Sequence, residues 1–192
     1  MRIALVQLDY HIGNFTENTT NMVLEIKKAQ QFAIDLVIFS ELSVCGYPPL
    51  DLLERRDFIE KCIAEIHKIA RICEDIGVII GGPEINPNPE GKMLFNAAWF
   101  LYGGKVQEVF HKSLLPTYDI FDEYRYFEPN REFRLLNFKD KKIAVTICED
   151  LWDDQPVENA FSRNRLYTVH PADELAKLGP DLIINIAASP FS

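Results

Sequence analysis

Apolar residues in this chain recur with two alternating periods: short runs such as Leu36-Val-Ile-Phe39 and Ile143-Ala-Val-Thr-Ile147, and longer stretches where they return every three or four residues. The first pattern belongs to buried strands and the second to amphipathic helices, so the chain must bury sheet and helix against one another. The spacing predicts a strand over 2–8, then a helix over 16–33 with Met22, Ile26, Ala29 and Ala33 on one face. A strand over 36–39 follows. A second helix over 57–75 aligns Ile59, Ile63, Ile66, Ala70 and Cys73, with Gly77 as its cap and a strand over 78–80 beyond it. Between them, Gly46-Tyr-Pro-Pro-Leu50 can continue neither helix nor central strand, because adjacent prolines remove two donors, and it reads as an ordered loop.

Gly103-Gly104 can supply the positive φ angles of a hairpin joining strands over 96–102 and 106–110. A second hairpin joins 133–138 to 142–147. A helix over 172–178, stopped by Gly179, leads to a last strand over 181–186. Helical connections mixed with hairpins favour a layered α/β domain over a barrel or a bundle. The final apolar run reads as a strand covered on both faces, yet the sequence stops soon after it, so a domain truncated at its C-terminus is expected.

Composition narrows the function classes. A chain of 192 residues, 47% hydrophobic, can form one domain with a real core. Twenty Lys and Arg against 29 Asp and Glu leave a net charge of −9, which offers no footprint for nucleic acid or an anionic membrane. No apolar run approaches the ~20 residues of a bilayer span, and the N-terminus turns polar too early for a secretory leader, so a cytoplasmic protein is expected. Cysteines at 45, 62, 73 and 148 and histidines at 11, 67, 111 and 170 are too scattered for a zinc or redox motif, and no metal is expected.

Three reactive side chains occupy one kind of place. Glu41, Lys112 and Cys148 each come just past the C-terminal end of a predicted strand, the rim where open α/β sheets bind ligands. A carboxylate, an ammonium and a thiol converging there would supply a base, a cation for developing oxyanion charge and a nucleophile. Cys62 and Cys73 fall within helical periodicity and read as core; Cys45, in the loop beside Glu41, reads the same way. Cys148 differs because it leaves an apolar strand for Glu149-Asp-Leu-Trp152, a transition expected to expose its sulfur near backbone amides.

These segments resemble the carbon-nitrogen hydrolases of the nitrilase superfamily, which use a Glu-Lys-Cys triad in this chain order. The segments Ser40-Glu-Leu-Ser-Val-Cys-Gly-Tyr-Pro-Pro-Leu-Asp-Leu-Leu53, His111-Lys-Ser-Leu-Leu-Pro-Thr-Tyr118 and Thr146-Ile-Cys-Glu-Asp-Leu-Trp152 narrow the likeness to the N-terminal glutaminase domain of glutamine-dependent NAD synthetases. The resemblance implies a nitrilase-like α-β-β-α four-layer sandwich over 1–192 and assembly as a homo-oligomer. It implies Glu123 as a second carboxylate near the lysine, with Tyr118, Glu149 and Ser189 near a glutamine substrate. It also implies release of ammonia through a cysteine thioester without any cofactor in this domain. A synthetase domain outside this chain would use ATP and Mg2+ to amidate deamido-NAD. The stretch 153–171, with Arg163-Asn-Arg165, reads as longer than the corresponding family loop. Two other readings stay open: a stand-alone amidase, carbamoylase or nitrilase acting on another small amide, and a noncatalytic assembly domain.

Overall fold

Strand β1 (Ile3–Leu5) opens the computed structural model, which describes residues 1–152 and 167–189. Helix α1 (Phe15–Gln31) starts at Asn14, whose side chain accepts the backbone N–H of Glu17 and satisfies one of the helix's free donors. It buries Met22, Ile26 and Ala29. Helix α2 (Arg56–Ala70) buries Ile59, Cys62, Ile66 and Ile69 in the same manner. Beside them run β2 (Leu36–Ile38), β3 (Gly77–Ile85), β4 (Leu94–Tyr102) and β5 (Lys105–His111). The chain continues through a short α3 (Glu123–Tyr126), β6 (Leu136–Phe138), β7 (Lys141–Ile147), α4 (Pro171–Ala176) and β8 (Leu182–Ile186).

The strands form two sheets. One has the order β1-β2-β3-β4-β5, parallel through β3 and antiparallel from there; the other has the order β6-β7-β8, with β7 and β8 parallel. Strand alternation then distributes the apolar residues between two layers. Val37, Val78, Ile80, Ala97, Trp99 and Leu101 pack outward against α1 and α2. Leu36, Ile38, Ile79, Ala98, Phe100 and Phe110 point the other way and meet Leu136, Phe138, Ile143, Val145, Ile184 and Ile186 of the second sheet. Helix α4 lies against β7. Helices, sheet, sheet and helix follow in the order the family resemblance implies.

Several local expectations need correction. Gly77 does not cap α2: the helix ends at Ala70, Cys73 lies beyond it, and Gly77 is the first residue of β3, paired with Leu36. A Cβ on Gly77 would lie 2.8 Å from the Phe138 ring, so the glycine admits the second sheet. Strand β3 also runs on to Ile85 through Gly81-Gly82-Pro83. Proline is tolerated because β2 pairs only as far as Ile79, leaving Pro83 with a neighbour on the β4 side alone. Strand β6 begins at Leu136 instead of 133. Strand β8 is covered on one face only: Ile184 and Ile186 are buried, whereas Ile183 is 46% exposed. The Gly103-Gly104 turn is as expected, with φ of 63° and 75° closing the pair Tyr102–Lys105. Most of the 153–171 stretch, including Arg163-Asn-Arg165, lies outside the described residues. Among the described residues no helix is long and apolar enough to cross a membrane.

Candidate active site at the strand ends

Three strand ends and the turns after them carry the reactive groups. Glu41 follows β2 on a turn in which Leu42 takes a left-handed φ of 46°. That turn lies directly on β3: a Cβ on Gly81 would stand 2.3 Å from Leu42 N and 2.7 Å from the carbonyl carbon of Glu41. Glycine at 81 is therefore what lets the Glu41 backbone seat against the sheet. Lys112 follows β5, its N–H donating to Asn96 O at 2.9 Å. Cys148 follows β7 with a φ of 47°, at the head of a 3₁₀ turn, Cys148–Leu151. A left-handed backbone is costly for a residue with a Cβ and persists only where neighbours enforce it. Asp150 is among those neighbours. Its Oδ2 accepts Ile147 N–H at 3.1 Å, and its Oδ1 accepts Ser113 and Leu114 N–H, both at 2.9 Å. One buried carboxylate thus ties the segment after Lys112 to the segment before Cys148. Burial pushes the Asp150 carboxyl up to about 6, against the pull of those N–H groups.

At the centre, the Lys112 ammonium is fully buried and uses all three of its hydrogens. It donates to Glu41 Oε1 at 2.8 Å and to Glu123 Oε1 and Oε2 at 2.9 and 2.8 Å. Burial alone would lower its pKa, but Glu41 and Glu123 more than offset this and hold it above the ordinary value. Tyr47 donates its hydroxyl to Glu123 Oε1 at 2.9 Å, and Ala188 N–H donates to Glu41 Oε2 at 3.1 Å. Glu123 is pushed up to about 7 by burial, with Lys112 opposing and Glu41 reinforcing the shift. Glu41, Lys112 and Glu123 are the charged groups that act on the Cys148 sulfur. Its thiol is pushed up to about 12 by burial first and the Glu41 charge second. The resting sulfur is therefore a protonated thiol near neutrality.

The structure brings Glu41, Lys112, Cys148 and Glu123 together. It also joins Tyr118 to Glu149, with the tyrosine hydroxyl 2.8 and 2.9 Å from the two carboxylate oxygens, and adds Tyr167, which donates to Glu149 Oε1 at 3.0 Å. Ser189 is exposed and lines a cleft of about 330 Å³ together with Ser40, Glu41, Tyr47, Ile120 and Ala188. The expectation of an exposed sulfur is corrected, since Cys148 is only 7% exposed. Cys45 is fully buried, its thiol directed at Leu42 O. Among the described residues no cluster of three or more His, Cys, Asp or Glu side chains could hold a metal ion. Sequence reasoning missed Asn96, Tyr47, Asp150 and Gly81. Asn96 offered a signal, being the one amide inside the apolar strand Leu94–Tyr102.

Comparison with known proteins adds the following. Residues 2–157 match the carbon-nitrogen hydrolase family. A glutamine-dependent NAD(+) synthetase of Synechocystis sp. is 40% identical over 194 residues, a stretch covering 99% of this chain and 34% of that protein. The solved structure of the glutamine-dependent NAD+ synthetase from Acinetobacter baumannii, in complex with ADP, superposes with a TM-score of 0.83 at 32% identity. It covers 99% of this chain and 32% of that one. An amidase from Nesterenkonia sp. superposes with a TM-score of 0.75 at 19% identity, covering 100% of this chain and 66% of the amidase, and shows a shared fold. The chain thus spans about a third of the length of the synthetases it matches.

Proposed function

The chain belongs to the carbon-nitrogen hydrolase family, and from that premise we propose that it is a glutamine amidohydrolase unit, releasing ammonia for a glutamine-dependent NAD synthetase. The observation that carries this reading is the buried Lys112 paired with Glu41 and Glu123, with the Cys148 thiol within reach of their charges and the Tyr118–Glu149 pair beside it. Tyr118 and Glu149 are suited to the charged end of an amino acid, the carboxylate of Glu149 attracting its ammonium group. Ser189 borders the neighbouring cleft.

Catalysis follows from the protonation states. Glu41 takes the Cys148 proton as the sulfur attacks the side-chain carboxamide carbon, so that no free thiolate has to persist beside two carboxylates. The carbonyl oxygen gains negative charge as the C–S bond forms. Lys112 answers it by exchanging one of its two Glu123 contacts for that oxygen, assisted by a backbone N–H. Glu41 returns its proton to the nitrogen, the C–N bond breaks, and ammonia leaves a glutamyl thioester on Cys148. A water deprotonated by Glu41 then cleaves the thioester, giving glutamate and restoring the thiol. Glu123 stays on Lys112 throughout and keeps the ammonium from collapsing onto Glu41 alone.

In this reading ammonia is consumed by an ATP- and Mg2+-dependent amidation elsewhere in the protein, and no step of the hydrolysis here runs through a cofactor. Four buried free thiols suit a reducing, cytoplasmic setting, and assembly as a homo-oligomer rests on the family resemblance. The test is substrate preference. Glutamine hydrolysis, followed as glutamate formed, should exceed hydrolysis of simple aliphatic amides in kcat/KM by roughly 10²-fold or more, the discrimination expected of a site built around polar groups. Equal or better turnover of simple amides would replace glutamine with a small amide as the substrate.

A further inference from the structure

Asn96 sits inside the site on β4, fully buried, and touches both carboxylates: its Nδ2 lies 2.8 Å from Glu41 Oε1 and 3.3 Å from Glu123 Oε2. The amide orientation is settled by its neighbours, since the reverse would point a carbonyl oxygen at two carboxylate oxygens. In this orientation Asn96 Oδ1 is buried and meets no donor among the described residues. The amide hydrogens do something specific. They occupy Glu41 Oε1 jointly with Lys112, which leaves Glu41 Oε2, bonded among the described residues only to Ala188 N–H, as the oxygen with capacity to take a proton from Cys148.

We propose that Asn96 is a positioning residue: its two amide hydrogens bridge Glu41 and Glu123, hold the two carboxylates apart, and keep Glu41 Oε2 presented to the Cys148 sulfur. The titratable groups facing this amide pair are Glu41 from the turn after β2, Lys112 after β5, Glu123 from α3, Tyr47 from the Gly46–Leu50 loop and Cys148 after β7. Lys112 is the single cation among them and is shared by two carboxylates. A neutral donor between those carboxylates therefore matters more than it would in a balanced cluster, where each carboxylate had its own cation. The role assigned to Asn96 rests on the reading of Glu41 as the base.

The test is the isosteric Asn96→Asp, with Asn96→Ser as a second variant that keeps one donor. For each, the rate of Cys148 carbamidomethylation by iodoacetamide is measured against pH by mass spectrometry, alongside glutamine hydrolysis. Asn96→Asp adds a third carboxylate to the cluster and should move both pH profiles upward by about one unit or more, with hydrolysis near neutrality falling ~10²-fold. Asn96→Ser should shift them in the same direction by less. Rates lowered by one factor at every pH, or left unchanged, would overturn the proposal. The two readouts separate the two ideas: an alkylation profile that shifts in a protein unable to hydrolyse glutamine removes the substrate and keeps Asn96. An unshifted profile in an active glutaminase removes Asn96 and keeps the substrate.

Discussion

The layer between the two sheets is closed at one side and open at the other. Toward β4 and β5, Ala98, Phe100 and Phe110 are buried under Leu136, Phe138 and Ile143, and the strand ends at that level carry a fully buried Lys112 between buried Glu41 and Glu123. At β1 the register pairs Ile3 with Leu36 and Leu5 with Ile38, so Ile3 and Leu5 share the face that elsewhere is covered. Leu36 and Ile38 are buried, but Ile3 is 37% and Leu5 80% exposed. A sheet of three strands lies on one of five. The same alternation of apolar residues therefore builds core in one half and bare surface in the other. The charged cluster depends on the closed half, where a low-dielectric surround makes each ionic contact count. Among the described residues, no hydrogen bond or ion pair of Glu41, Lys112 or Glu123 comes from β1.

If that division holds, substitutions should sort by side. The largest effect is expected from Lys112→Met. It leaves two buried carboxylates without their cation, which costs ~3–5 kcal/mol when a buried pair is broken, and glutamine hydrolysis should fall ~10²-fold or more. Thermal unfolding and steady-state assays read both. A variant that melts and turns over normally would mean the cluster is not integral to the closed half. Next comes Gly81→Ala. A methyl 2.3 Å from Leu42 N and 2.6 Å from Ser40 O must displace the Glu41 turn. Overpacking of this kind costs ~1–3 kcal/mol, and a misplacement of ~1 Å can lower turnover ~10²-fold. Hydrolysis retained at full rate would show that the turn tolerates movement. The smallest effect is expected at the open edge: Leu5→Ser should change stability by no more than ~0.5 kcal/mol, leave hydrolysis intact and reduce binding of an apolar dye. Lost activity there would erase the distinction between the two halves.

How much of this was legible in the sequence follows the same physical divide between local pattern and long-range approach. The stripes of α1 and α2, the Gly103-Gly104 hairpin and the strand-end positions of Glu41, Lys112 and Cys148 are local patterns, and they stood in the sequence, except that Ala33 lies exposed beyond the end of α1 with a left-handed φ of 52°. Gly77 reads as a helix cap, and the predicted strand stops at residue 80, before Gly81-Gly82-Pro83, because glycine and proline are disfavoured within strands. Here Gly77 and Gly81 serve close approach by the Phe138 ring and the Glu41 backbone, and Pro83 occupies a stretch that has lost one neighbour. The burial of Glu123, Glu149 and Asp150 was equally hidden, since each carboxylate is matched by donors from segments distant in sequence: Lys112, Tyr118, Ser113. Asn96 belongs with them, its two partners being 55 and 27 residues away.

The central claim is that a protonated, nearly buried thiol on a left-handed turn is the nucleophile, activated by Glu41 only when a glutamine-like carbonyl is in place. Treatment of the protein with a diazo-ketone analogue of glutamine, followed by peptide mass spectrometry, tests it most directly. A single adduct on Cys148 is expected, with Cys45, Cys62 and Cys73 unmodified and labelling lost in Glu41→Gln. Labelling of Cys45 with Cys148 untouched would contradict it.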